Sequence, residues 1–493
     1  MTTFRHHRDR AQGGLRPAML QCAPKASGWP RHDPGKQNQM ISSWMARRAY
    51  PFYETRLRGR RTFEHLAEYE ANQWISADEL HALQLAKLQA LLSHCEAQVP
   101  FYRRHWAAAG VSARDLREVG DLRHFPTIDK QIIRAHRDEM VAASWRGRTL
   151  SKSTGGSTGQ PFSFEYTRES YERRMAVMMR GYAWAGWRQG DRRLDVWGTE
   201  IAPVSALRQA KMRLHDAVLG RRVVSCFDMT QDNLERYRRE IDRHRPKVVV
   251  GYTSALVELA RWIERNDGAR WAPQAVITAA EMLSSEQRAL LERSFRAPVF
   301  HTYGCREFML IGAECDRHDG YHLSADHLVV ELTDDAGRTL DDGTGQVTVT
   351  DLHNFGMPFV RYLNGDLASR SSAHARCACG RCLPLLGAVE GRRLDVLTSP
   401  DGRIIPGEFF PHLMKDFSSI EAFQVRQTRE DRLRVLLVGQ REHGEADLAR
   451  LRERVAHQTG PAMAIEVEWV DTIPLTPSGK RRVTIREIEA ASA

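Results

Sequence analysis

Long apolar runs are missing from this chain. No stretch approaches the roughly eighteen uninterrupted apolar residues of a membrane-spanning helix, so no membrane span is expected. The basic N-terminal region lacks a continuous apolar h-region, so it does not read as a secretory signal, and the cytoplasm is the expected compartment. Cysteine is scarce, with 8 in 493 residues, and in a cytosolic chain these do not suggest disulfides. Two phosphate signatures are also absent. Neither G-x-x-x-x-G-K-[ST] nor G-x-G-x-x-G occurs, which sets aside a Walker-type nucleotidase and a dinucleotide-binding Rossmann unit. No internal repeat is found.

What remains has the profile of a soluble globular protein, 42% hydrophobic and 27% charged, and its length is too great for one core, so two or three domains are expected. The net charge of +10 is localised. Residues 1–62 hold thirteen Lys/Arg against Asp9, Asp33 and Glu54, a surplus of ten that accounts for all of it. The body is therefore neutral, which argues against a nucleic-acid-binding face and leaves nucleic acid off the expected partners. Residues 1–45 are rich in His, Gly, Pro and Gln without apolar period and read as a disordered basic leader. It is either a tail for an anionic partner or a segment ahead of a true start at Met40 or Met45, alternatives that an intact mass separates.

Residues 62–118 carry apolar residues at three- and four-residue steps and read as helices, with Ser76 and Glu79 spaced as a capping box. From 170 to 270, helix-like stretches alternate with the short apolar runs "RRLDVWG", "RRVVSCF" and "PKVVVGY", and "APQAVITAAE" follows. That alternation predicts an α/β fold with mixed or largely parallel sheets. After residue 320, "HLVVELTDDAGRTLDDGTGQVTVTDL" predicts antiparallel hairpins, a β-rich subdomain. From about 405 a helix, two strands, a helix and a strand predict a small α+β unit. The expected division is a body over 46–391, with its β-rich, metal-bearing part at 315–385, and a mobile C-terminal lid over 392–493.

"STGGSTGQP" (153–161) is the most conspicuous motif. Its glycines Gly155, Gly156 and Gly159 free backbone N–H groups, and Ser153, Thr154, Ser157 and Thr158 add hydroxyls, so the run can wrap phosphate oxygens without side-chain charge. Gly/Ser/Thr runs are more often plain loops, but four other segments accompany this one in order: "TAAEML" (278–283), "YGCREF" (303–308), "RYLNGDLA" (361–368) and "PLTPSGKRR" (474–482). Together these resemble the signature of the adenylate-forming enzymes, the acyl-CoA synthetases and their relatives. "QVPFYRRHW" (98–106), "GYTSALVELARWIE" and the C-x-C-G-R at 377–381 resemble the phenylacetate–CoA ligase-like branch.

The resemblance implies an acid–thiol ligase that uses ATP, Mg2+ and coenzyme A on a small carboxylic acid, aryl or arylacetyl. It implies a phosphate loop at 153–159 and an adenine site formed by Ala279, Ala280, Glu281 and Tyr303 with Gly304. Asp366 would hold the ribose hydroxyls and Glu307 the magnesium. Arg392 would point at phosphate from the domain junction. Lys480 would stabilise the charge that builds as the carboxylate attacks the α-phosphate, an interaction stronger in the transition state than in the ground state. There are departures. Gln160 stands where many relatives carry lysine, which predicts weaker ATP affinity; Arg306 stands where threonine is common; and the hinge position holds Leu394, with Asp395 next. Transfer to a carrier-protein thiol or an amine stays open as an alternative to coenzyme A, and oligomeric state is not legible.

Cys315, His318 and His322 precede Cys377, Cys379 and Cys382, and cysteine pairs with nearby histidines are zinc-like. The resemblance narrows this to a closed, structural zinc on Cys315, His322, Cys377 and Cys379, with His318 and Cys382 as substitutes. The alternative is reduced thiols in a loop. A zinc-containing nucleic-acid-binding protein is the rival of another class, and the neutral body disfavours it.

Overall fold

A computed structural model describes residues 45–153, 163–198, 205–227, 229–266, 268, 270–370, 377–390, 397–405, 407, 409–414, 416–417, 419–440, 444–473 and 483–488. The leader up to residue 44, the loop residues Thr154, Gly155, Gly156, Ser157, Thr158, Gly159 and Gln160, the junction residues Arg392, Leu394 and Asp395, and Lys480 lie outside the described residues.

The helical start forms as read: Thr62–Asn72 and Ala77–Gln98, the second opened by the Ser76–Glu79 capping box, in which Ser76 N donates to Glu79 Oε2 at 2.8 Å and Glu79 N to Ser76 Oγ at 3.2 Å. Strands β1 (Leu150–Ser153) and β2 (Ser163–Tyr166) pair antiparallel, ending at Ser153 opposite Ser163. The nine residues between them hold the phosphate-loop motif. Next come β3 (Arg193–Trp197), β4 (Arg221–Ser225), β5 (Val248–Tyr252), β6 (Ala275–Ala279) and β7 (Val299–Tyr303), all mutually parallel. Antiparallel strands follow: β8 (Gly312–Ala313), β9 (Tyr321–Leu323), β10 (Leu328–Thr333), β11 (Thr344–Asp351), β12 (Tyr362–Arg370) and β13 (Leu385–Glu390). The expected parallel layer and β-rich part thus join in one sheet, in the order β10-β11-β12-β13-β9-β8-β7-β6-β5-β3-β4. The junction is thin, because β8 has two residues and β9 three.

Every residue of β5, β6 and β7 is buried, as a parallel sheet covered on both faces requires. Alternate residues divide between the faces. Leu194, Val196, Val249, Val276 and Val299 pack with residues of the helices Gln231–His244, Thr253–Arg265 and Ser285–Phe295. Val248, Val250, Ala275, Ile277 and Phe300 pack with Met179 and Tyr182 of the helix Arg168–Trp184. Period-two alternation therefore turns Arg193, Asp195 and Trp197 of β3 toward that second face.

Beyond residue 397, β14 (Leu397–Thr398) and β15 (Ile404–Ile405) make the hairpin expected around "PDG". A second sheet, in the order β18-β17-β16-β19, comprises β16 (Ile420–Arg429), β17 (Arg432–Gly439), β18 (Ala464–Trp469) and β19 (Thr484–Arg486), with the helix Gly444–Thr459 between β17 and β18. Its apolar side continues into the core of the larger sheet, where Phe409 meets Phe227 edge-on at 5.7 Å. Among the described residues no helix is long and apolar enough to cross a membrane.

Candidate active site

Parallel strands bring their C-terminal ends to one edge of a sheet, where ligands of open α/β folds collect. Here the ends of β3, β5, β6 and β7, the helix Arg168–Trp184 and the β12 residues Asn364 and Asp366 enclose a cavity of about 590 Å³. Ala279, Ala280, Glu281, Tyr303, Gly304, Glu307 and Asp366 all line it, so the structure brings these sequence-predicted residues together.

Local backbone chemistry explains several of these residue choices. Ala280 sits at φ +70°, a left-handed conformation that costs a non-glycine residue energy and that clusters at functional sites. At position 304 only glycine fits, because a Cβ there would lie 2.0 Å from the carbonyl oxygen of Met309. The Glu281 carboxylate accepts from Ser254 N at 2.6 Å and from Ser254 Oγ at 2.9 Å, closing the first turn of the helix Thr253–Arg265. Burial pushes its pKa up, and the Ser254 hydrogen bonds oppose the shift. Glu281 thus fixes the turn after β6 with its carboxylate while its remaining surface faces the cavity.

Tyr303 Oη donates to Asp366 Oδ2 at 3.1 Å and accepts from Asn364 Nδ2 at 2.7 Å, joining the end of β7 to β12. Burial, and then the Asp366 charge, pushes the Tyr303 phenol well above its usual range. Gly365, at φ +89°, permits the turn that lets Asp366 N bond back to Asn364 Oδ1 at 2.9 Å.

Glu307 is 4% exposed, accepts from Tyr362 Oη at 2.9 Å and lies 3.7 Å from Lys130 Nζ. Lys152, the residue before Ser153, lines the same space. Burial, with Arg306 and Arg174 nearby, pulls the Lys152 ammonium down to about 8, against the favourable pull of Glu307. Sequence reasoning missed both lysines. The motif contains none, yet two lysines line the cavity. Adjacency to "STGG" was a usable signal for Lys152; Lys130 had none, since only tertiary packing brings it to Glu307. Trp197 and Tyr252 also line the cavity, their rings edge-on at 4.6 Å. Thr253 is buried, with its hydroxyl donating to the Glu281 carbonyl at 3.1 Å.

Several known proteins resemble this chain over most of its length. Over 374 residues the chain is 26% identical to the phenylacetate-coenzyme A ligase of Escherichia coli (strain K12), covering 74% of this chain and 82% of that one. It is 22% identical over 423 residues to protein CapK of Staphylococcus aureus, covering 84% and 90%. Residues 397–487 match the CapK C-terminal domain family. The chain is a homologue of the phenylacetate-coenzyme A ligases and of CapK. Among solved structures, 2-hydroxyisobutyryl-CoA ligase in complex with 2-HIB-AMP and CoA, in the thioesterification state, matches with a TM-score of 0.59 at 20% identity, over 84% of this chain and 92% of that one. The fold is that of the adenylate-forming ligases.

This adenylate-forming fold carries a second group of reactive side chains away from the cavity. Cys315 Sγ lies 3.6 Å from Cys377 Sγ, and Cys379 Sγ lies 3.2 Å from His322 Nε2. One ligand atom from each of the four lies within 4.8 Å of all the others, as four corners of a tetrahedral metal site would. His322 Nδ1 is turned to the Leu383 carbonyl at 3.2 Å, which leaves Nε2 for the cluster. His318 is directed elsewhere, to Glu314 at 3.1 Å and the ring of Phe300. The four residues come from β9 and from the segments following β8 and preceding β13. The cluster therefore sits at the thin junction of the two halves of the sheet.

Proposed function

We propose that this chain activates a carboxylic acid with ATP and passes the acyl group to the thiol of coenzyme A, with aryl or arylacetyl acids as the expected class. The observation that carries the reading is the convergence on one cavity of the turns after β6 and β7 with Asp366, beside Lys130, Lys152 and Glu307. The phenylacetate-coenzyme A ligases among its homologues support it.

In this reading the adenine ring lies against Tyr303 and the turn Ala279–Glu281, and the Asp366 carboxylate accepts from the ribose hydroxyls, its position fixed by Tyr303 and Asn364. Residues 153–159 wrap the phosphates with backbone N–H groups and hydroxyls, and Lys152 adds the charge that Gln160 lacks. A carboxylate oxygen of the acid attacks the α-phosphorus, the bond to the bridging oxygen breaks, and pyrophosphate leaves. Lys480 meets the charge that develops on the α-phosphate, and Arg392 the phosphate at the junction. The lid over 392–493 then rotates, so that the cleft that admitted a lysine admits a thiol. The sulfur attacks the acyl carbonyl and AMP departs.

Glu307 is a buried carboxylate beside the phosphate region, a donor suited to a hard cation, and would hold magnesium in competition with Lys130. Magnesium, when bound, neutralises phosphate charge and orients the leaving pyrophosphate. Cys315, His322, Cys377 and Cys379 would hold zinc, which with four protein ligands and no open position supplies a cross-link and no chemistry. The cytoplasm, with its reduced thiols, suits both the cluster and the co-substrates.

The test is pyrophosphate release across a panel of carboxylic acids, followed by mass detection of the thioester with coenzyme A. Acid-dependent release with an acyl-CoA product is expected. Release without a thioester, but with an amide or an acylated carrier protein when those acceptors are supplied, would reassign the second step. No release with any acid would overturn the whole reading.

A further inference from the structure

Part of the positive surplus that the sequence concentrates before residue 62 lies on a folded surface beside exposed apolar side chains. Nine large apolar side chains are exposed among the described residues. Six of them, Phe52, Tyr53, Leu57, Leu207, Met212 and Leu214, fall on just two elements, so the exposure is clustered rather than scattered. One element is the helical segment 45–57; the other is the helix Ala206–Val218, in which no residue is buried. The two adjoin, because the Tyr50 ring meets the His215 ring edge-on at 5.8 Å.

The helix Ala206–Val218 is mounted with its apolar stripe outward. Leu207 and Leu214 stand two turns apart on one side, 82% and 69% exposed. Asp216 follows Leu214 by two residues and so points the opposite way, where Arg221 of β4 lies 3.5 Å from it. A surface helix of a globular protein normally turns these two sides the other way round. Leucines that the fold leaves in water call for a partner that removes them from it.

Charge identifies the class of partner. Arg208, Lys211 and Arg213 are exposed on the helix, and Arg48, Arg56 and Arg58 on or beside the segment. The acids of these two elements are engaged within the fold, Glu54 by Arg60 at 2.6 Å and Asp216 by Arg221. A two-fold contact between copies of the chain would set this basic patch against itself, with like charges facing. Nucleic acid would answer the charge but leave the leucines without apolar contact. Basic side chains around exposed Leu, Phe and Tyr suit the interface of an anionic bilayer, where apolar groups enter the acyl boundary and cations meet the headgroups. We propose that this face docks the protein on an anionic lipid surface. Such docking needs no spanning helix, and it goes beyond the ligase reading without resting on it.

The experiment pellets the full chain with vesicles of phosphatidylcholine, alone or with about 30% phosphatidylglycerol. Partition onto the anionic vesicles is expected to exceed that onto the neutral ones by about tenfold or more at low salt, and to fall as salt screens the attraction. Leu207→Gln/Leu214→Gln changes no charge and leaves the basic leader whole; it is expected to lower partition by about tenfold. Arg208→Gln/Lys211→Gln/Arg213→Gln keeps the leucines and should lower partition by a similar factor while flattening its salt dependence. All five positions are exposed, so both variants should melt with the wild type. Equal partition onto the two lipids would overturn the inference. So would undiminished partition of the leucine variant, which would assign vesicle binding to the leader. Absence of vesicle binding would overturn it as well, and a dimer that the leucine variant dissolves would then assign the face to a second copy.

Discussion

At one end of the cavity the side chains sit on the turns after β6 and β7 and beside a glycine kink in β12; at the other they sit in regular strand and helix. Ala280, Gly304 and Asp366 occupy places where the backbone itself is special: φ +70° at one, room for no Cβ at the next, a glycine at φ +89° before the third. Such positions restrict which residues can occupy them, and the restriction leaves a mark in the sequence. Arg193, Asp195, Met175 and Met178 lie in ordinary strand and helix geometry, where almost any residue could stand. In the proposed function the first end would hold the nucleotide, which every substrate of such an enzyme shares, and the second would face the acid, which varies.

The largest loss is expected from Lys480→Ala, the residue proposed to meet the charge of the first step. Adenylate formation is expected to fall by about 10²- to 10³-fold, in line with losing one positioned charge-stabilising group. Thioester formation from a supplied acyl-adenylate and coenzyme A should change far less. Equal loss in both half-reactions would place Lys480 outside the first step. Next comes Asp366→Ala, which removes charged acceptors for two ribose hydroxyls. The KM for ATP should rise on the order of 10- to 100-fold with the preference among acids unchanged; a shift in acid preference would mean that the two ends are not separable.

The nucleotide end was legible because its motifs encode turns. "TAAE", "YGCRE" and "NGD" each record a backbone requirement, and their order along the chain did the rest. Lys130 was not legible, since one lysine beginning a short helix looks like any other and only a tertiary bridge, Ile128 to Tyr362 of β12, brings it near Glu307. The far end could have been suspected. In "RRLDVW", Arg193 and Asp195 are two residues apart in a strand and so share a face, an unusual pair for a buried parallel strand. Taken whole as a short apolar run, the segment hides the pair. For the cysteine–histidine cluster, spacing suggested the candidates and the resemblance selected Cys315, His322, Cys377 and Cys379; the structure brings the same four together, with β9 paired to β13.

Two smaller effects sharpen the contrast. Purified protein should contain about one zinc per chain. Cys377→Ser should lower that content and the melting temperature by several degrees, with acid preference retained; full zinc retention would reject the ligand set. The smallest effect concerns pH. Lys152 is charged below about 8 and loses its proton as pH rises through that value, so its contact with phosphate is present at lower pH and lost at higher pH. The KM for ATP is expected to climb a few-fold between pH 7.5 and 9 in the wild type and to stay level in Lys152→Arg, whose guanidinium remains protonated. A flat wild-type profile would remove Lys152 from phosphate binding.

The slender seam of β8 and β9 has a mechanical consequence. Few ladder bonds cross it, so the two halves of the great sheet are bound to each other weakly in comparison with their own interiors. Tyr303 belongs to one half and Asp366 to the other, and the 3.1 Å hydrogen bond between them is a strut across the gap. Cutting that strut with Tyr303→Phe would then quicken amide exchange on both sides of the seam together, because two loosely tethered slabs lose one of their few ties.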